Sequence, residues 1–80
     1  MNANTELSSL LQSNFKRKQL QNPSYSMRAL ARDVGVTQPI LSLYFRGKRR
    51  LTPSMAFAIG KYLKLDDKEL LNVIVSTFEQ

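Results

Sequence analysis

Apolar side chains recur along this chain at helical spacing. Leu7, Leu11 and Phe15 stand four apart with Leu10 beside them, a stripe that predicts a first helix from about Thr5 to Leu20. Thr5 suits the cap and Glu6 the first turn. Lys16, Arg17 and Lys18 suit the last turn, where the carbonyl end of a helix favours cations. Asn22-Pro23 closes the helix, because a residue before proline is pushed out of helical backbone. A second helix is predicted from about Ser26 to Val34, capped by Ser26 and burying Leu30, Ala31 and Val34. Gly35 then takes the left-handed conformation that stops it. Thr37 can cap a third helix with Pro39 in its first turn, where a missing N–H does no harm, and the helix stops at Arg46-Gly47.

Residues 47–52 read as a basic loop in which Leu51 plugs the core. Thr52-Pro53 restarts a helix with a cap followed by proline at the first helical position, and Ala56, Ile59 and Leu63 form its inner face. Gly60 inside that helix costs about 1 kcal/mol relative to alanine, so it is expected where another helix approaches closely. Asp66-Asp67-Lys68-Glu69 matches a capping box by function, Asp66 capping and Glu69 reaching back, and opens a last helix to about Phe78. Val73-Ile74-Val75 has strand propensity, so a short terminal strand competes with helix there. The resulting class is all-α with five helices in one domain over residues 1–80, its core over about 5–78.

Composition limits what such a domain does. Eighty residues bury one thin core and leave little for a deep cleft. The chain has no cysteine and no histidine, which removes disulfides, thiolate metal sites, the commonest zinc ligand and the commonest general base. Ser42 therefore lacks the partner that activates a nucleophilic serine, and no enzymatic role, metal or cofactor is expected. No signal peptide is visible. The longest apolar run, Met55 to Ile59, is far short of the roughly 20 residues a membrane span takes. The expected location is cytoplasmic.

Charge changes the picture more than composition does. The net charge is +6 and the isoelectric point about 10.1, which suits a polyanionic partner. Its distribution says more than its total. Residues 1–50 hold nine basic and two acidic side chains, whereas residues 51–80 hold three basic and four acidic ones. Arg28, Arg32, Arg46, Lys48, Arg49 and Arg50 gather around the second and third predicted helices, and Lys16-Arg17-Lys18 reads first as a solvated helix end.

The segment Met27 to Gly47 joins these signals. Ala31 is small enough for a close helix crossing, Gly35 takes the sharp turn, and Leu30, Val34, Val36, Leu41 and Tyr44 glue two helices at a fixed angle. With Ser42, Arg46-Gly47-Lys48 and Pro53 at these spacings, the segment resembles the helix-turn-helix of the Cro and phage-repressor family over roughly residues 25–75. Asn22-Pro23-Ser24-Tyr25-Ser26 also looks like a subgroup of bacterial regulators in which this domain precedes a larger region. Both a stand-alone protein and a fragment fit that likeness. The resemblance implies a five-helix lambda-repressor-like bundle with the helix-turn-helix at about residues 26–46, in a bacterial or phage nucleoid-associated regulator of transcription. By position it implies base-facing Thr37, Gln38, Pro39, Ser42 and Leu43. Phosphate contacts would come from Ser26, Arg28, Arg46, Lys48, Arg49 and Arg50.

Physical chemistry supports parts of that assignment. A glutamine amide such as that of Gln38 can pair in two places with adenine. Pro39 and Leu43 can touch thymine methyl groups but cannot pair with a base edge, which favours weak or shape-dependent specificity. The expected partner is double-stranded DNA, bound by a homodimer through Val73, Ile74, Val75 and Phe78, with Phe57 as further apolar surface. A second function class stays open: a protein–protein adaptor using Ile40, Leu43 and Phe45 as an apolar patch. The cations around that patch favour DNA. RNA binding ranks last, for want of an exposed aromatic platform.

Overall fold

Three of the five helices begin on a side chain that reaches forward to an otherwise unpaired backbone N–H. Ser26 Oγ accepts from Ala29 N–H at 3.1 Å, Thr52 Oγ1 from Met55 N–H at 3.1 Å, and Asp66 Oδ1 from Glu69 N–H at 2.8 Å. The computed structural model describes residues 3–79 and runs α1 (Ala3–Gln21), α2 (Met27–Val34), α3 (Gln38–Phe45), α4 (Pro53–Tyr62) and α5 (Asp67–Ser76). The described residues contain no strand, so the run Val73-Ile74-Val75 is helical. Burial of Val73 on the core outweighs its local preference for strand.

Thr5 is not a cap, because α1 already starts at Ala3 and no breaker stands ahead of Thr5 to stop it. Leu10 is half exposed rather than part of the buried stripe. The stripe is narrow, with Leu7 and Leu11 fully buried and Phe15 partly so. In α4 the inner face is Met55, Ala56, Ile59 and Gly60. Leu63 falls on the C-cap and is only partly buried, since the helix ends at Tyr62 before that turn completes.

One core joins all five helices. Leu30, Ala31 and Val34 of α2 meet Leu41 and Tyr44 of α3, with Leu7 and Leu11 of α1, Met55, Ala56 and Ile59 of α4, and Leu70 and Val73 of α5. Among the described residues no polar or charged side chain is buried. Each fully buried leucine contributes about 1.5–3 kcal/mol relative to an exposed one. The close approach expected at Gly60 is found: a Cβ there would run into the Leu70 side chain on α5.

Three helices end in the same way, on a left-handed residue whose successor bonds back to the carbonyl five positions earlier. The pairs are Val36 N–H to Ala31 C=O (3.0 Å), Lys48 N–H to Leu43 C=O (2.9 Å) and Leu65 N–H to Gly60 C=O (3.0 Å). Gly35 (φ 96°) and Gly47 (φ 72°) hold the first two turns, and Lys64 (φ 61°) holds the third.

Candidate nucleic-acid interface

The short turn Gly35–Thr37 sets α3 against α2, and the buried pairs described above fix one side of α3. What faces outward follows from helical spacing. Gln38, Ser42 and Arg46 form one row four residues apart, and Pro39 and Leu43 form the adjacent row. These five residues line one shallow, open hollow. Gln38, Pro39 and Arg46 are exposed, and Ser42 and Leu43 partly so.

Thr37 occupies the N-cap with extended backbone (φ −78°, ψ 150°), but its side chain accepts no capping bond. Pro39 explains this in part, since it removes the N–H of the second helical residue, one of the two donors such a cap uses. Thr37 is exposed, at the edge of the outward face.

Cations flank this face on two sides. Ser26 and Arg28 are exposed at the N-terminus of α2, where backbone N–H groups and the helix dipole add positive character. Lys48, Arg49 and Arg50 are exposed in the α3–α4 loop, while the next residue, Leu51, is 1% exposed and pins that loop to the core. Among the described residues the ion pair formed is Arg32–Asp33 at 3.6 Å, on the surface, and none involves Arg28, Arg46, Lys48, Arg49 or Arg50. Their charge is left for a partner.

The apolar patch suggested for an adaptor is not a free face. Ile40 and Phe45 are half-buried against the core, and Phe45 lies 6.4 Å from the Phe15 ring and 6.3 Å from that of Tyr44. Only Leu43 remains on the outward side, and it shares the hollow with polar neighbours. Tyr44 is core, and burial pushes its phenol up to about 12 despite an opposing hydrogen bond with Ser8.

Spacing gave no sign of a second cluster, which ties α1 to the helix-turn-helix. The Tyr25 hydroxyl donates to Asp33 Oδ2 at 2.6 Å, Phe15 lies 6.1 Å from the Tyr25 ring, and Lys18 Nζ sits 5.3 Å from the centroids of both Tyr25 and Tyr62. The Tyr62 hydroxyl donates to Asn14 Oδ1 at 2.7 Å across 48 residues. The Tyr25 hydrogen bond, more than the nearby cations, holds the Asp33 carboxyl below its usual range. Desolvation and the same bond push the Tyr25 phenol up. The basic run on α1 is thus divided, Lys16 and Arg17 pointing to solvent and Lys18 half-buried over two rings.

An all-α bundle that buries one side of a short third helix and rings the other with unpaired cations is a helix-turn-helix nucleic-acid-binding module. The family model for helix-turn-helix proteins matches residues 16–70, and the chain belongs to that family, in its Cro and phage-repressor form; it is a DNA-binding module. Searches among curated proteins and among solved structures found no match. No described helix is long and apolar enough to cross a membrane.

Proposed function

We propose that the chain regulates transcription by inserting the N-terminal half of α3 into the major groove of duplex DNA. The observation that carries this reading is the outward face of α3: the row Gln38-Ser42-Arg46 beside Pro39-Leu43, fixed by a buried opposite side and flanked by cations without carboxylate partners. Thr37, Gln38, Pro39, Ser42 and Leu43 face the bases. Ser26, Arg28, Arg46, Lys48, Arg49 and Arg50 hold the phosphates on either side. Gln38 supplies the main hydrogen-bonding recognition. Leu43 and Pro39 supply methyl contacts, so specificity is moderate and leans on DNA shape.

The working unit in this reading is a homodimer, because one such module contacts only a few base pairs. The expected interface needs one correction. Val73 is 7% exposed and belongs to the core, since α5 turns that side toward α1 and α4. The outer stripe is instead Leu71, Val75 and Phe78, exposed at 60%, 45% and 75%, with Ile74 half-buried beside it.

Selection of bound sequences from random duplexes tests this. The expected product is a two-fold symmetric site containing A·T pairs in each half. Recovery of no preferred sequence at any salt concentration would reduce the function to non-specific DNA binding.

A further inference from the structure

The α1–α2 connection carries more ties than a linker between two helices needs, and they converge on one residue. Tyr25 N–H donates to Asn22 C=O at 2.9 Å, and Tyr25 C=O accepts from Gln19 Nε2 at 3.3 Å. Its ring stacks at a tilt on Phe15 and lies under the Lys18 ammonium, and its hydroxyl reaches Asp33. Asn22 Oδ1 further accepts from Ser24 N–H at 3.1 Å, which tightens the turn. The next residue in the chain is Ser26, the cap of α2, and Arg28 follows two further on.

Geometry gives this knot a consequence for binding. The eight residues of α2 extend only about 12 Å, too short to hold a direction unaided. Their buried side chains, Leu30, Ala31 and Val34, sit in the middle and the last turn. The first turn, which carries Arg28 behind the Ser26 cap, has no fully buried side chain, and Met27 packs against the core only partly buried. Tyr25 lies before that turn, while its hydroxyl is fastened to Asp33 in the last turn of the same helix. The Tyr25–Asp33 pair therefore links the two ends of α2, and the Tyr25 ring braces the first turn against Phe15 of α1.

We infer that Tyr25, through its hydroxyl bond to Asp33, is the positioning residue for the phosphate-facing N-terminus of α2. This rests on the reading of Ser26 and Arg28 as phosphate contacts. Without the brace the first turn of α2 wavers, and contacts that carry no sequence information weaken on every DNA alike. The same bond holds Asp33, the one carboxylate between Glu6 and Asp66 in the sequence, in a fixed place on an otherwise basic region.

Tyr25→Phe keeps the ring and removes the bond. Two measurements on this variant, made well below its melting temperature, test the inference. In the DNA-free protein, amide exchange at Ala29, whose N–H the Ser26 hydroxyl holds, is expected to quicken several-fold while core amides of α4 hold their rates. On random duplex DNA the affinity is expected to fall by about two- to tenfold, the range of one hydrogen bond, with a log–log salt slope shallower by up to about one contact. Arg49→Ala serves as control: loss of binding in that variant upholds the DNA reading independently of Tyr25. Tyr25→Phe protein with wild-type exchange at Ala29, or with wild-type DNA affinity and salt slope while Arg49→Ala loses binding, overturns the inference.

Discussion

At the scale of single residues, Gln38 and Arg49 should behave in opposite ways. Gln38 is exposed at the start of α3, and Arg49 stands in the loop beyond it, free of any ion pair among the described residues. Gln38→Ala is expected to weaken binding to a preferred site by about 1–3 kcal/mol and to leave random DNA nearly unaffected, because only the preferred site offers its base. Arg49→Ala is expected to weaken both and to flatten the salt slope by about one unit. Equal losses on both DNAs for Gln38→Ala would mean that its amide holds the backbone. Lys64 calls for a different test. It repeats the left-handed helix stop of Gly35 and Gly47 with a side chain that this conformation disfavours by roughly 1–2 kcal/mol. Lys64→Gly is expected to stabilise the fold by about 1 kcal/mol, net of the freedom glycine gains when unfolded, which raises Tm by about 4–8 °C. A lower Tm would show that the lysine side chain contributes something the turn geometry does not reveal.

At the scale of elements, the angle between α2 and α3 decides which residues reach DNA. Ala31 is 2% exposed at their crossing, and its carbonyl also accepts the N–H groups of Gly35 and Val36 that shape the turn. Ala31→Leu is expected to overpack this crossing and cost about 1–3 kcal/mol, visible in thermal denaturation. An unchanged melting point would mean that the two helices have room to spare. The loop after α3 shows the complementary arrangement. Four cations, Arg46, Lys48, Arg49 and Arg50, would repel one another into a mobile segment, but Gly47 reverses the chain and buried Leu51 fastens its far end. The positive charge is thus presented from a fixed place rather than from a tail.

At the scale of the whole molecule, the uneven charge is an address. The helix-turn-helix half is basic, and the acidic side chains Asp66, Asp67 and Glu69 cluster at the start of α5. Such a dipolar molecule approaches a polyanion basic half first. With about four of the five assigned cations neutralising phosphates on each protomer, the logarithm of the binding constant is expected to fall against the logarithm of salt with a slope of about −3.6 per protomer. Titrations at several salt concentrations measure it. A slope near zero would indicate a partner other than DNA.

Most of the five helices were legible in the sequence, because caps, stops and apolar spacing are local signals. Ser26, Thr52 and Asp66 bond to the N–H three residues on, and Gly35 and Gly47 take positive φ as their places require. The outward face of α3 was legible for the same reason: once Leu41 and Tyr44 are buried, helical geometry leaves Gln38, Ser42 and Arg46 on the other side. Signals that depend on contact between distant segments were not. Thr37 fits the cap pattern and makes no side-chain bond, and Ile40 and Phe45 read as an open patch until the aromatic side chains of α1 and α3 meet. Val73 looked like surplus apolar surface until α5 turned it inward. The knot of Tyr25, Asp33, Lys18 and Tyr62 has no period to read, since a ring outside a helix, a side chain eight residues on and partners on α1 and α4 come together only in three dimensions. Local chemistry determined which segments are helices and where they stop; the packing of α1 across the other helices decided which of their side chains remain free to meet a partner.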